Sequence, residues 1–229
     1  MLPKIIHYCW FGKNPLPQSA KKSIASWRKF LPDYEIKEWN ESNFDVYQCQ
    51  FVREAYNSNK YAFVADYARL YVLFKYGGIY FDTDVEVLKS FTCFEKFDFF
   101  IGLEMEGQVG TSVIGAKASH PLIKAFLHYY SIRPFILQDG SLDKTPNTVI
   151  ISKMMRKHGY VLENTCTVVD HMAIFPKDYF SPVNMLTEEL EVTDNTYSIH
   201  HFTGSWQSPK ERLKFKAKAI FRRFVKKMR

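Results

Sequence analysis

Asp82 and Asp84 stand two residues apart in the run Tyr76-Gly77-Gly78-Ile79-Tyr80-Phe81-Asp82-Thr83-Asp84-Val85. Side chains two apart on a strand share a face, so the expectation is an apolar strand whose end aims two carboxylates at one point. Hard oxygen ligands so placed suit Mg²⁺ or Mn²⁺, which keep coordination sites open for substrate. An ion held there can bind a diphosphate and offset the charge it gains as a leaving group. Asp-x-Asp also recurs in turns and acidic surface loops, so the pair needs support from elsewhere in the chain.

Asp66 and Arg69 are spaced i, i+3 on a segment that reads as helix and share its face. The flanking Ala62-Phe63-Val64-Ala65 and Leu70-Tyr71-Val72-Leu73-Phe74 are almost wholly apolar. A charged pair on a mostly buried helix needs partners; each other, or the hydroxyls of a sugar, would serve. A second cluster is His200-His201-Phe202-Thr203-Gly204-Ser205-Trp206. Adjacent histidines on a strand face opposite ways, so at most one readily completes a set of two aspartates and a histidine. Ser205 and Trp206 offer a hydroxyl and an indole N–H, donors suited to phosphate oxygens; a core histidine and a buried tryptophan are the plainer reading. His7, Trp10 and Phe11 border the end of the first strand, where a base can stack, although aromatics on a strand are more often simply core. Glu104, Glu106 and Gln108 follow a later strand and can approach an acceptor, while Asp139, Asp143 and Asn147 read as a polar turn; a solvated loop is the plainer reading of all six.

These residues must be positioned by alternating strands and helices. Ile5 to Phe11 reads as a buried strand ended by Gly12 and Asn14-Pro15. Ala20, Ile24, Trp27 and Leu31, with Lys21, Lys22, Arg28 and Lys29 between them, give an amphipathic helix stopped by Pro32. Strand 34–39, an ambiguous stretch 43–58, and an apolar helix 60–76 capped by Gly77-Gly78 lead into the aspartates. Strands near 97–103 and 111–116, a helix over 120–131, a turn at Asp139-Gly140, a helix over 147–157, a strand pair within 161–175 and a late strand near 197–202 follow. Such alternation predicts an α/β domain with a mostly parallel sheet, with ligands at the carboxyl ends of its strands.

Composition narrows the class. The 229 residues, 46% hydrophobic and 17% aromatic, suit one domain with an ample core. No apolar run is long enough for a transmembrane helix, and the first residues lack a signal-peptide pattern, so a cytoplasmic protein is expected. Cys9, Cys49, Cys93 and Cys166 form no Cys-x-x-Cys pair, which argues for buried thiols rather than zinc or disulfides. Residues 209–229 carry ten Lys/Arg against Glu211, a net +9 in a chain of +7, so residues 1–208 net −2. A body of that charge is a poor nucleic-acid binder. In the tail, Leu213, Ala217, Ile220, Phe221, Phe224, Val225 and Met228 fall at helical spacing. The division expected is a catalytic domain, 1–208, and a basic amphipathic helix, 209–229, packed on that domain or lying peripherally on anionic membrane at the inner face of the plasma membrane.

Four stretches in order, 5–10, 63–69, 76–84 and 201–206, resemble the DXD-containing sugar transferases of glycosyltransferase family 32, whose bacterial members often serve capsular or other surface-polysaccharide synthesis. The resemblance covers roughly residues 3–208. It implies a GT-A fold, Rossmann-like, with a nucleotide-sugar donor, a Mn²⁺ or Mg²⁺ ion and retention of anomeric configuration. It implies that Asp82 and Asp84 bind metal and donor with Thr83 between them, and that Asp66 and Arg69 hold the donor sugar. His201, similar to a His-Tyr-x-Gly metal motif, becomes the expected third ligand rather than His200, and Ser205-Trp206 the expected diphosphate contact. His7 and Trp10 are expected beside the nucleotide. Thr145-Pro146-Asn147 departs from the Gly-Pro found in more distant members.

The expected activity is hexose transfer from a nucleoside diphosphate sugar, a UDP-sugar first, to a hydroxyl of a surface glycan or lipid-linked oligosaccharide. No residue stands out as a nucleophile, which suits same-face attack with the leaving phosphate helping to deprotonate the acceptor. A dehalogenase-type phosphatase fits less well, because Glu86 stands where that motif wants Thr or Val. A glycosidase would need two carboxylates and no metal, and a non-catalytic sugar- or nucleotide-binding protein would bind without turnover.

Overall fold

The computed structural model describes residues 1–184, 187 and 189–204. In chain order the strands are β1 (Ile5–Cys9), β2 (Glu35–Trp39), β3 (Gly78–Phe81), β4 (Val85–Val87), β5 (Phe99–Met105), β6 (Gln108–Ala116), β7 (Thr167–Val169), β8 (Met172–Phe175) and β9 (Ser198–His200). The helices are α1 (Gln18–Phe30), α2 (Gln50–Asn57), α3 (Tyr61–Tyr76), α4 (Pro121–Ser131), α5 (Asn147–Lys157) and α6 (Lys177–Phe180). Seven strands form one sheet in the order β2-β1-β3-β6-β5-β8-β7, and β4 pairs with β9 in a separate antiparallel ribbon. Parallel pairing joins β2 to β1, β1 to β3 and β5 to β8. Strands β6 and β7 run against their neighbours. Five of the seven strands therefore share one direction, the mostly parallel α/β sheet expected, with an antiparallel strand at its centre that the alternation did not announce.

The helices form where apolar spacing dictates. In α1, Ala20, Ile24 and Trp27 are buried while Lys21, Lys22, Arg28 and Lys29 stay exposed. Trp27 also donates its indole N–H to the Val85 carbonyl at 2.7 Å, so burying this ring fixes the strand that leaves the aspartates. Helix α3 is apolar nearly all round, which marks a helix enclosed by its neighbours; Val64, Ala68, Leu70, Val72 and Leu73 are wholly buried. It ends at Gly77, whose φ of 65° suits glycine and whose N–H donates to the Leu73 carbonyl at 2.9 Å. At Gly78 (φ 105°) a Cβ would stand 2.5 Å from the Ile5 carbonyl oxygen. Only glycine lets β3 lie this close to β1 while turning straight out of the helix.

Two cores flank the sheet. One, beneath α2–α5, gathers Val64, Leu73, Tyr80, Ile101, Leu103 and Phe126. The other, beneath α1 and α6, gathers Trp27, Phe81, Phe91, Phe94, Phe100 and Phe180. Cys9 is buried as expected, but Cys93 and Cys166 are exposed and all four thiols are free. No helix among the described residues is long and apolar enough to cross a membrane. The expected tail helix and the boundary at 208/209 lie outside the described residues.

Candidate active site

Strand β3 stops at Phe81, so Asp82 and Asp84 occupy the turn after it rather than the strand itself. The Asp82 N–H donates to the Ser112 carbonyl and the Val85 N–H closes the turn on the Asp82 carbonyl at 3.0 Å. It is this turn, not the strand pleat, that brings the two carboxylates together. Thr83 lies half-buried between them.

Each aspartate has its own support. Asp82 Oδ1 accepts from the Tyr80 phenol at 3.0 Å and lies 3.3 Å from Arg69 Nη1. Asp84 Oδ2 accepts from the Thr203 N–H at 2.8 Å and its hydroxyl at 3.0 Å, and Oδ1 lies 3.3 Å from His200 Nε2. Burial pushes the Asp84 carboxyl up, but the His200 charge and hydrogen bond and the Thr203 donors outweigh it and hold the group well below the carboxylate range. His200, whose burial alone would lower it, is raised by Asp84. Its Nδ1 is buried with no hydrogen-bond partner among the described residues.

His201, the histidine expected as the third ligand, is not the one that lies beside the aspartates. The two rings do face opposite ways, but His200 is the one at the aspartates. His201 Nε2 lies 2.8 Å from Glu86 Oε2 instead, and its ring is exposed. The reason is register: β9 pairs antiparallel with β4, His200 opposite Val85. Which of two neighbours faces the site is fixed by that pairing.

Asp66 and Arg69 form the expected pair at 3.0 Å, both buried. Arg69 also donates to the Thr111 carbonyl at 2.7 Å and the Ala65 carbonyl at 3.3 Å, and its guanidinium lies 4.6 Å from the Tyr80 ring centroid. With Asp82 and Asp66 added, these partners use most of its five N–H groups. Its charge is held firmly: burial opposes it, and Asp82, Tyr80 and Asp66 prevail. Asp66 Oδ1 accepts a second bond, from Asn147 Nδ2 at 2.7 Å. Burial pushes Asp66 up to about 7 against the pull of Arg69. Asn147 therefore leaves the polar turn to which its sequence assigned it and enters the site from the first residue of α5. Its position at a helix start, just after Pro146, was the available signal.

His7, expected beside the nucleotide, lies in the core. It is fully buried, its Nε2–H donating to the Gly77 carbonyl at 2.8 Å while Nδ1 accepts from the Trp39 indole at 3.0 Å. Burial drives its pKa down to about 4, so it is a neutral core histidine. Trp10 is half-buried, its indole donating to the Asn14 carbonyl at 2.6 Å. It lines a groove of about 350 Å³ with Lys13, Asn40 and Glu41, at the carboxyl ends of β1 and β2. The aspartate turn leaves the carboxyl end of β3, the next strand, so groove and carboxylates share one edge of the sheet. Ser205 and Trp206 lie outside the described residues.

A ligand atom from each of Asp82, Asp84 and His200 lies within 4.8 Å of the others. Two carboxylates and one imidazole form a donor set that fits Mn²⁺, or Mg²⁺ with its stronger preference for oxygen. The converging histidine is His200, where the sequence led to the expectation of His201.

Residues 17–100 match the family described as a glycosyltransferase sugar-binding region containing a DXD motif, which bears out the family resemblance read from the four motifs. The chain is 26% identical over 222 residues to an uncharacterized glycosyltransferase of Acanthamoeba polyphaga mimivirus, covering 90% of this chain and 84% of that one. It is 26% identical over 130 residues to inositol phosphoceramide mannosyltransferase 3 of Schizosaccharomyces pombe, covering 53% of this chain and 35% of that protein. The match thus spans about a third of the length of that fungal relative. Among solved structures, the PaToxG glycosyltransferase superposes with a TM-score of 0.52 at 20% identity, over 69% of each chain, a likeness of fold. The fold is that of the GT-A glycosyltransferases.

Proposed function

We propose that this chain, a protein of the DXD glycosyltransferase family, is a divalent-metal-dependent, retaining hexosyltransferase that uses a nucleoside diphosphate sugar. The observation that carries the reading is the convergence of Asp82, Asp84 and His200 beside the buried Asp66–Arg69–Asn147 cluster. Bound Mn²⁺ or Mg²⁺ would neutralise charge on the departing diphosphate. Asp82, Asp84 and His200 would hold that ion. Arg69 acts chiefly as a brace, joining Asp66 to Asp82. The Asp66 carboxyl, anchored through Oδ1 by Arg69 and Asn147, presents its other oxygen to a sugar hydroxyl. The groove beside Trp10 would receive the nucleoside, and Ser205 and Trp206 are the residue types in the sequence whose hydroxyl and indole N–H suit a diphosphate.

The donor proposed first is a UDP-sugar, and the acceptor a hydroxyl of a surface glycan or lipid-linked oligosaccharide. The name of the fungal relative, a mannosyltransferase acting on inositol phosphoceramide, supports including mannose among the sugars and a lipid among the acceptors. The basic segment 209–229 would then hold the enzyme at the cytoplasmic face of a membrane carrying such an acceptor.

A thermal-shift panel of nucleotide sugars with and without Mn²⁺ tests the reading. A ligand present at about 100 times its Kd adds roughly 2.7 kcal/mol of stability. Stabilisation by one nucleotide family only in the presence of metal, followed by release of sugar from it, is the expected result. Stabilisation indifferent to metal would overturn the metal-dependent mechanism, and binding without turnover would return the chain to a binding protein.

A further inference from the structure

Near the end of β5 two neighbouring residues part company. Leu103 enters the core under α2–α5, while Glu104, at a register irregularity of β5, lies against Gly110 of β6. A Cβ at Gly110 would stand 3.2 Å from Glu104 Cβ and 3.5 Å from its Oε2. The missing side chain at 110 is therefore what leaves room for this carboxylate. Glu104 is half-buried, yet among the described residues it makes no hydrogen bond or ion pair. The charges acting on it are those of the site: His200, Asp82, Arg69 and Asp84.

A partly desolvated carboxylate without a donor is costly. The cost is offset once something brings an O–H or N–H to it. Two occupants are already accounted for elsewhere. The metal set closes on Asp82, Asp84 and His200, and Glu104 is not among those converging atoms. The sugar of the donor is assigned to Asp66 and its brace, which reach the aspartate turn from α3 and α5. Glu104 comes instead from β5 and lies against Gly110, next to the Thr111 whose carbonyl takes the Arg69 guanidinium. What still has to arrive is the hydroxyl that receives the sugar.

We propose that Glu104 is the catalytic residue that binds the acceptor hydroxyl and takes its proton. This rests on the transferase reading above. As the acceptor oxygen forms its bond to the anomeric carbon, the bond from that carbon to the phosphate oxygen breaks and its electron pair leaves with the nucleoside diphosphate. The hydroxyl proton passes to Glu104, which then releases it to water. The proton is thereby assigned to the protein instead of to the leaving phosphate. Burial raises the Glu104 pKa, the direction that makes a carboxylate a better base.

Water is the simplest acceptor, so donor hydrolysis reads this role without knowledge of the natural one. The probes are UDP with Mn²⁺ for binding and the best-stabilising nucleotide sugar for turnover. Glu104→Gln and Glu104→Ala should bind UDP and Mn²⁺ as the parent does, while hydrolysis falls by about 100-fold. Added formate should restore turnover to Glu104→Ala, where a carboxylate can re-enter the space, and not to Glu104→Gln. Hydrolysis by Glu104→Gln within about threefold of the parent, or no rescue of Glu104→Ala by formate, overturns the assignment. Parallel loss of UDP and Mn²⁺ binding would also overturn it, by moving Glu104 to the donor side. If the parent itself turns over no nucleotide sugar, it is the transferase reading that has failed, a result visible before any variant is made.

Discussion

His200 Nε2 lies 3.3 Å from Asp84 Oδ1, while His201 next to it lies 2.8 Å from Glu86 and faces away. The His200–Asp84 contact ties the last described strand to the aspartate turn across more than a hundred residues of chain, and Thr203 adds two further donors to the same carboxylate. A site assembled from such distant segments exists only in the folded chain. Its charge state follows from the same contact: His200 is raised by Asp84 and Asp84 is lowered by His200 against the effect of burial.

The first prediction separates the two histidines. His200→Ala should weaken Mn²⁺ binding by at least ~10-fold, and His201→Ala should leave it nearly unchanged, as read by calorimetric titration of the metal. Because coordination must displace the proton that His200 holds toward Asp84, Mn²⁺ affinity should also rise with pH in the parent and lose most of that dependence in His200→Ala. A greater loss from His201→Ala would mean that the β4–β9 register is not the one that operates in solution.

Arg69→Ala should cost both stability and turnover. It leaves the buried Asp66 and the neighbouring Asp82 without their shared cation, a defect of about 3 kcal/mol or more, visible as a lower urea midpoint. Asp66→Ala should spare UDP affinity but reduce transfer by about 100-fold, the signature of lost orientation. Unchanged specific activity in Asp66→Ala would make the cluster a structural ion pair alone.

Asp66 also sets a pH dependence whose sign is fixed. Burial raises its folded-state pKa to about 7 from an ordinary 3.8. The stability linked to its protonated form is fully present below 3.8 and is lost as pH rises through about 7. Metal-free protein should therefore lose stability between those values relative to Asp66→Asn, by on the order of 1 kcal/mol or more. Denaturation midpoints of the two proteins that run parallel across that window would show that Arg69 and Asn147 keep Asp66 ionised throughout.

The basic tail yields the fourth prediction. Full-length protein should sediment with anionic vesicles at low salt and be released as salt rises. Truncation after Ser208 should abolish this binding and leave donor hydrolysis in place. Unfolding of the truncated protein, or indifference of both forms to vesicles, would make the segment a structural helix.

The sequence alone determined what depends on neighbours along the chain. The spacing of Ala20, Ile24 and Trp27 specified α1, the unbroken apolar character of 62–74 specified a buried α3, and Gly77-Gly78 marked its end, because each is a local rule of periodicity or backbone freedom. The i, i+3 spacing of Asp66 and Arg69 likewise gave their ion pair, and two aspartates two apart were bound to be near each other. Tertiary structure decided everything that depends on which segments meet. The antiparallel insertion of β6 between β3 and β5 placed Thr111 to take the Arg69 guanidinium. Folding of α5 against the sheet carried Asn147 to Asp66. Pairing of β9 with β4 chose His200 over His201, and the packing of Trp39 and Gly77 around both nitrogens of His7 withdrew that residue into the core. A shift of one residue along a strand exchanges its two faces. The sequence could therefore name the histidine pair, and only the long-range register could select between its members.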